Sequence, residues 1–148
     1  QYNVKGLDLG DIHITGGDDQ VLCIIERKTV PDLVASIIDG RYREQKSRLI
    51  QSNIKVIYVI EGKIENKRKS LPETTIWSAL IHTMIRDNCN VFRTTDLEDT
   101  ATFIFQLHKC FEKGMNSKNG KMKNISTNVA AWTGPGRWPI WPHRRAFV

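Results

Sequence analysis

The sequence predicts an α/β domain in which helices flank a mixed β-sheet, with the element order ββααβαβα. Three observations support this prediction. Two apolar segments, 7–14 and 21–28, are separated by the polar loop TGGDDQ, as in a β-hairpin with a longer loop. Two helical segments precede the β-branched segment 54–60, which is the clearest strand in the chain. Helical and strand patterns then alternate as far as residue 113.

The helices are predicted mainly from the signals at their ends. Pro31 has no backbone N–H, which suits the first turn of a helix, and Asp39-Gly40 ends that helix. Ser70 with Glu73, and Thr95 with Glu98, have the spacing of capping boxes. The expected helices are therefore 31–38, roughly 41–52, 71–87 and 96–113, with a strand at 90–94 between the last two.

Length and cysteine content restrict the class of protein. A chain of 148 residues is typical of one domain and can bury a single core. The three cysteines are odd in number and widely spaced, which excludes a CxxC zinc site and a disulfide framework. A reducing compartment, cytosol or nucleus, fits best. We expect neither a membrane span nor a signal peptide.

The positive charge is concentrated near the C-terminus. The net charge is +6, and residues 115–148 contain six basic residues and no acidic one, so 16 basic residues face 16 acidic ones in 1–114. DNA binding by the core would therefore depend on local patches. We predict one domain at 1–114 and a disordered, Trp/Pro/Gly-rich tail at 115–148. An alternative is that the tail stacks on single-stranded nucleic acid.

The chemistry-bearing residues lie on the predicted hairpin. Glu26 and Lys28 are two residues apart on a strand, so their side chains leave the same face of the sheet. Burying such charges is costly unless they pair or bind a metal. Asp11 lies on the preceding strand, within reach of Glu26. A divalent cation between the two carboxylates would remove their mutual repulsion.

This arrangement predicts phosphodiester hydrolysis. Mg²⁺ held by Asp11 and Glu26 would activate water and neutralise charge on the phosphate oxygens. Lys28 would orient or deprotonate the water, or stabilise the phosphate charge. On spacing alone, a surface hairpin with a solvated Glu–Lys pair remains an alternative.

A longer pattern surrounds these residues. Gly10-Asp11, then Glu26-Arg27-Lys28 and Asp32, resembles the GD…ERKxxxD signature of the XPF superfamily of structure-specific endonucleases. The likeness continues through SIIDGRYREQKSRL at 36–49 and resumes at 70–75 and 93–96. It covers about residues 5–114 and is strongest to the catalytic subunits of eukaryotic crossover junction endonucleases.

The resemblance implies a restriction-endonuclease-like nuclease fold with Mg²⁺, or Mn²⁺, as cofactor. It implies cleavage of branched DNA (flaps, replication forks and nicked junctions) in recombination and fork repair, in the nucleus. It also implies a heterodimer with a noncatalytic homologous subunit. Asp11 and Glu26 match the metal positions, Lys28 the catalytic lysine, and Arg27 and Asp32 supporting positions of the catalytic motif. The alternative is a noncatalytic dimerisation and DNA-binding module of the same family.

Several residues have two interpretations. Arg27 either pairs with an acid such as Asp32 or contacts DNA, and we favour the pairing. His13 is either packed or a third metal ligand, and we favour packing. One helix face carries three further candidates for phosphate contacts, with a solvated face as the alternative. They are Arg41, Gln45 and Arg48.

Two features bear on assembly. The helices at 71–87 and 96–113 carry more apolar residues than one buried stripe requires, which predicts the dimer face of the nuclease domain. The family's first strand, with a further acidic residue, precedes the segment that matches residues 1–7, and a tandem helix-hairpin-helix domain normally follows. Both are missing from the sequence given, so we expect this chain alone to cleave DNA poorly.

Overall fold

A computed structural model describes residues 2–4, 6–17, 19–65, 70–113 and 128–131. The expected order ββααβαβα is found over residues 12–112, with one further strand on each side. The elements are β1 (Tyr2–Val4), β2 (Ile12–Thr15), β3 (Val21–Thr29), α1 (Val30–Ile38), α2 (Arg41–Gln51), β4 (Lys55–Glu61), α3 (Glu73–Ile85), β5 (Asn90–Thr94), α4 (Leu97–Glu112) and β6 (Asn128–Ala131).

The strands form one mixed sheet in the order β1-β6-β2-β3-β4-β5. β2 and β3 pair antiparallel, as the hairpin pattern predicted. β3, β4 and β5 are parallel, so their carboxyl ends lie at the same edge of the sheet. The predicted α/β class with a mixed sheet and flanking helices is confirmed.

Two strand predictions need correction. β2 begins at Ile12 rather than at residue 7, because the chain bends through residues 8–11 and Gly10 has a φ of +72°. The tail at 115–148 also contributes a strand, β6, which pairs with both β1 and β2. Without β6, β2 would expose a row of unpaired backbone groups, which is the usual reason for strand addition at an edge. The rest of the tail lies outside the described residues.

The starts of α3 and α4 also differ from the sequence pattern. α3 begins after Pro72, which makes no side-chain cap, so the predicted capping box of Ser70 and Glu73 is wrong. α4 is capped one residue later than expected, by Asp96, whose carboxylate accepts from the Asp99 amide at 2.9 Å. The Asp96 carboxylate is a stronger acceptor for that amide than a hydroxyl would be, because its negative charge strengthens the hydrogen bond.

The sheet has an apolar core on each face. α1, α2 and α3 cover the face that carries Ile24, Tyr58 and Ile60. α4 covers the opposite face, where Ile25 and Val59 lie. Successive residues of β3 therefore point to different cores, which separates the side chains of Glu26 and Lys28 from that of Arg27.

A buried polar network fixes α2 against α3. The Tyr42 hydroxyl lies 2.7 Å from Thr83 Oγ1, and Lys46 Nζ donates to the same oxygen at 3.1 Å. Lys46 also forms an ion pair with Asp87 at 2.5 Å. Burial raises the Asp87 pKa, but hydrogen bonds from Arg86 and Lys46 outweigh it, and the pKa is lowered. The network makes α2 a rigid support for the residues on its other faces.

Among the described helices, none has both the length and the apolar character needed to cross a bilayer.

Candidate active site

The turn before β2 places Asp11 beside β3. Gly10 has a left-handed backbone, and a Cβ added there would lie 2.3 Å from Ile24 Cγ2. The chain can therefore cross over Ile24 only with glycine at this position. Directly afterwards, the Asp11 amide donates to the Ile25 carbonyl at 2.9 Å, and the Arg27 amide donates to Asp11 Oδ2 at 2.8 Å. The carboxylate thus extends the β2–β3 ladder by one position before the first residue of β2.

Glu26 and Lys28 lie on the face of β3 that α1, α2 and α3 cover. Their side chains form an ion pair, with Lys28 Nζ 3.6 Å from Glu26 Oε1. Both residues are buried, with 8% and 4% of their surfaces exposed. Buried charges of this kind are retained when they are paired or serve a function. The shared face that the sequence predicted for these residues is confirmed.

The structure joins Glu26 to Lys28 and ties Asp11 to the backbone between them, while the convergence of all three side chains on one metal stays a prediction. Ile12 pairs with Ile25, and the Asp11 amide donates to the same Ile25, so Asp11 lies directly before the paired residues of β2. The amide bonded by Asp11 belongs to the residue between Glu26 and Lys28. The chemical roles of these residues remain predictions.

The donor set fits a magnesium site with few protein ligands. Within the described residues, no three or more His, Cys, Asp or Glu side chains are arranged so as to hold a metal ion. Asp11 and Glu26 therefore offer two carboxylates. Mg²⁺ commonly binds through one or two carboxylates, substrate phosphates and several waters. Asp11 and Glu26 supply the carboxylates that such a site would need.

Arg27 makes its contacts on the opposite face of the sheet. Its guanidinium donates to both carboxylate oxygens of Glu61, at 2.8 and 2.5 Å. Thr100 Oγ1 donates to the same carboxylate at 2.7 Å and lies 2.7 Å from Thr94 Oγ1. This chain of contacts joins the carboxyl ends of β3, β4 and β5 to α4.

The pairing expected for Arg27 is therefore structural, but its partner is Glu61 and not Asp32. A bidentate guanidinium–carboxylate pair is favoured because both groups are planar and match in geometry. Sequence reasoning missed Glu61 and Thr100. The available signal was an acid directly after the apolar run of β4, which is costly to bury without a cationic partner.

Asp32 and His13 have local roles in this structure. Asp32 is exposed; its amide donates to Thr29 Oγ1 at 3.3 Å, and its carboxylate accepts from that hydroxyl at 2.8 Å, which caps α1. His13 Nε2 lies 2.6 Å from the Leu9 carbonyl oxygen and fixes the segment before Asp11. His13 is half-buried, and its packing role stays a prediction.

The three candidates on α2 are placed differently from one another. Gln45 Oε1 accepts from Lys28 Nζ at 3.1 Å, so Gln45 belongs to the cluster around Glu26. Arg41 is exposed and pairs with Asp39 at 2.6 Å. Arg48 is exposed one turn further along the helix. Two guanidinium groups therefore flank the one amide that contacts the cluster.

Two buried tyrosines lie on the same face as Glu26. Burial raises the pKa of Tyr42 to about 12, although its hydrogen bond with Thr83 opposes the shift. Burial also raises the pKa of Tyr58, and the nearby Tyr42 and Glu26 add to this effect. Both phenols remain protonated and neutral, so neither serves as a base in this site.

Comparison with known proteins identifies the family. The ERCC4 domain matches residues 1–107. The chain belongs to the ERCC4 domain family. Its GD…ERKxxxD pattern is intact and includes Asp11, Glu26 and Lys28.

Two of the relatives that it matches are named as endonucleases. The chain is 42% identical over 93 residues to the structure-specific endonuclease subunit MUS81 of Rattus norvegicus, which covers 61% of this chain and 16% of that protein. It is 36% identical over 131 residues to the probable crossover junction endonuclease mus81 of Dictyostelium discoideum, over 74% of this chain and 14% of the relative. The chain thus spans a small part of these relatives.

Solved structures support the fold. XPF from Aeropyrum pernix superimposes with a TM-score of 0.62 and 26% identity, over 75% of this chain and 53% of the archaeal one. The same protein in complex with DNA gives a TM-score of 0.58 and 30% identity, over 66% and 49%. The expected nuclease-domain fold of the XPF superfamily is confirmed.

We predict that Gly10→Ala destabilises the domain by about 2–4 kcal/mol, combining left-handed strain with overpacking against Ile24. Urea denaturation followed by circular dichroism measures the change. Gly6→Ala is the matched control, because a Cβ at Gly6 meets nothing within 4 Å. Equal midpoints for the two variants would contradict the assigned turn.

Proposed function

We propose that this chain carries the nuclease core of a metal-dependent, structure-specific DNA endonuclease that cuts flaps, replication forks and nicked junctions. The observation that carries the proposal is the cluster of Asp11, Glu26 and Lys28 at one sheet edge of an ERCC4 domain. The names of the rat and Dictyostelium relatives, a structure-specific endonuclease subunit and a probable crossover junction endonuclease, support an endonuclease. Recombination and fork repair in the nucleus are the proposed setting.

We propose Mg²⁺, which Mn²⁺ could replace, as the cofactor held by Asp11 and Glu26. A bound ion would supply an acidified water and positive charge against phosphate oxygens. The buried Lys28 ammonium lies beside Glu26, and besides the hydrogen that it donates to Gln45 it has donors for a phosphate whose negative charge increases during cleavage. Arg27 supports the site through its amide bond to Asp11, and Asp32 through the cap at the start of α1.

The exposed side of α2 is the proposed path of the DNA backbone. Arg41 and Arg48 flank Gln45, whose amide oxygen contacts Lys28, so a phosphate chain along this helix would reach the cluster. The Arg41–Asp39 pair is exposed and therefore weak, which leaves its guanidinium able to exchange to a phosphate. The similarity to an XPF structure in complex with DNA supports this role.

We propose that the partner is a noncatalytic homologous subunit bound over α3 and the β5 edge. α3 exposes one apolar stripe, and β5 is an edge strand that adds Phe92. By contrast, the large apolar residues of α4 are buried or partly buried, and Phe103 stacks on Phe92 at 3.9 Å. The rat relative is named as a subunit, which agrees with a shared assembly. The exposed stripe consists of Trp77, Ile81, Met84 and Ile85.

We predict that Asp11→Asn, Glu26→Gln and Lys28→Met each lower the cleavage rate of a labelled 3′-flap duplex by at least about 100-fold, since each removes charge from the reacting region. The assay uses the 148-residue chain co-expressed with its homologous subunit, with Mg²⁺. Asp19→Asn and Lys55→Met, both exposed, are the controls.

Retention of more than about a tenth of the rate by any cluster variant would argue against its role. An unmodified complex that binds the flap but never cuts it would favour the noncatalytic module instead.

We predict that Arg48→Ala weakens DNA binding and reduces the salt dependence by about one ion, as expected on loss of one phosphate contact. Arg43→Ala is the matched control. Arg43 is an exposed arginine of the same helix, but it points roughly 160° from Gln45, whereas Arg48 points roughly 60° away. Among the described residues, neither has an ion-pair partner.

Fluorescence anisotropy over a range of salt concentrations measures both variants. Equal losses of DNA affinity for Arg43→Ala and Arg48→Ala would show that α2 attracts DNA nonspecifically, and would contradict a DNA path along one face of this helix.

We predict that Ile81→Glu prevents assembly with the homologous subunit, because it places a charge in the apolar stripe that the partner would bury. Light scattering of the co-purified proteins measures the mass. Ile38→Glu is the control, since Ile38 is similarly exposed on α1, away from α3. An intact heterodimer with Ile81→Glu would place the interface elsewhere.

A further inference from the structure

The position of the Lys28 ammonium depends on two acceptors of different kinds. Lys28 has 4% of its surface exposed, and its Nζ lies 3.6 Å from Glu26 Oε1 and 3.1 Å from Gln45 Oε1. The contact with Gln45 is the shorter and falls within normal hydrogen-bond distance, whereas the contact with Glu26 is an ion pair at longer range. The amide therefore sets the direction in which the ammonium points.

The two acceptors would respond differently to a bound cation. Glu26 carries the charge that attracts Lys28, and under the proposed function the same carboxylate also binds a divalent ion. Metal binding would weaken the attraction of Glu26 for the ammonium, because the ion competes for the same oxygens. The hydrogen bond between the neutral Gln45 amide oxygen and the ammonium would not be weakened in this way.

We infer that Gln45 is a positioning residue, which holds the Lys28 ammonium towards the scissile phosphate whether or not the cation is bound. This inference rests on the proposed function and deepens it, since it adds a residue outside the GD…ERKxxxD pattern. Gln45 acts through Lys28 and not on the substrate. It differs from the expectation that Gln45 contacts the DNA backbone.

The helix that carries Gln45 is held firmly against the core. Three neighbours of Gln45 on α2 are buried in the core. Lys46 follows it directly, Tyr42 lies three residues before it, and Leu49 lies four residues after it. Tyr42 and Lys46 are bonded to Thr83 of α3. The amide group therefore stands on a support with little freedom to move, which is what accurate placement of a reacting group requires.

The chemistry of an amide also suits this position better than that of a carboxylate. Glu44, the preceding residue, is exposed to solvent, while the residue that faces Lys28 is uncharged. A carboxylate at position 45 would place a second negative charge near Glu26. It would repel Glu26 or bind the cation away from Asp11.

The test compares Gln45→Met, Gln45→Glu and the control Gln51→Met in the 148-residue chain. Methionine matches glutamine in length but removes the acceptor, whereas glutamate keeps an acceptor and adds charge. Gln51 is an exposed glutamine at the end of the same helix. Circular dichroism and urea midpoints establish that each variant folds.

The first measurement does not need activity. The ammonium groups of ¹⁵N-labelled lysines are recorded by NMR at one fixed pH, and the Lys28 signal is assigned by its absence in Lys28→Met. We expect a slowly exchanging Lys28 signal in the parent, in Gln51→Met and in Gln45→Glu, and its loss or displacement in Gln45→Met. An unchanged signal in Gln45→Met would overturn the inference, even if no variant cleaves DNA.

The second measurement separates positioning from DNA contact. With the homologous subunit, Mg²⁺ and saturating flap DNA, Gln45→Met is expected to lower kcat by about 10- to 100-fold while KM for DNA stays near the parent value. A raised KM with an unchanged kcat would overturn the inference and assign Gln45 to the DNA backbone. If the parent complex does not cleave, the proposed function fails, and the NMR result alone decides the placement of Lys28.

Discussion

The hydrogen bond from the Arg27 amide to the Asp11 carboxylate is the contact on which the candidate site depends. β2 begins at Ile12, and this bond, together with the one from the Asp11 amide to the Ile25 carbonyl, holds the residue before β2 against β3. Because the carboxylate occupies the place of a backbone acceptor, Asp11 is held in the sheet ladder next to Glu26. The bond is charge-assisted and so stronger than a bond between neutral groups. Gly10 allows this bond to form, because a residue without a side chain lets the backbone cross over Ile24.

Alternation along β3 divides one short motif between two tasks. Glu26 and Lys28 point to the face covered by α1–α3, where they meet each other and Gln45. Arg27 points to the α4 face and pairs with Glu61. Glu26 and Lys28 thus supply two chemical groups. Arg27, which lies between them, forms a brace with Glu61 and Thr100 that fixes the strand carrying both groups.

Local sequence signals predicted much of this arrangement. The hairpin, the shared face of Glu26 and Lys28 and the α/β class follow from strand periodicity, which tertiary contacts did not override. The start of β2 was misjudged because periodicity does not register a left-handed glycine. β6 was missed because its pairing depends on a free sheet edge and not on its own sequence. Glu61 and Gln45 were not recognised as partners because their contacts join different elements of the fold, which local sequence patterns do not register.

The separation of these contacts along the chain has a consequence for folding order. The bonds that build the site close short loops, with Asp11 and Arg27 16 positions apart and Lys28 and Gln45 17 apart. The brace closes longer ones, at 34 positions for Arg27 and Glu61 and 39 for Glu61 and Thr100. Each doubling of loop length adds about 0.6 kcal/mol of closure entropy. We expect the hairpin and α2 to gather early in folding, and the brace to close over a site that is already formed.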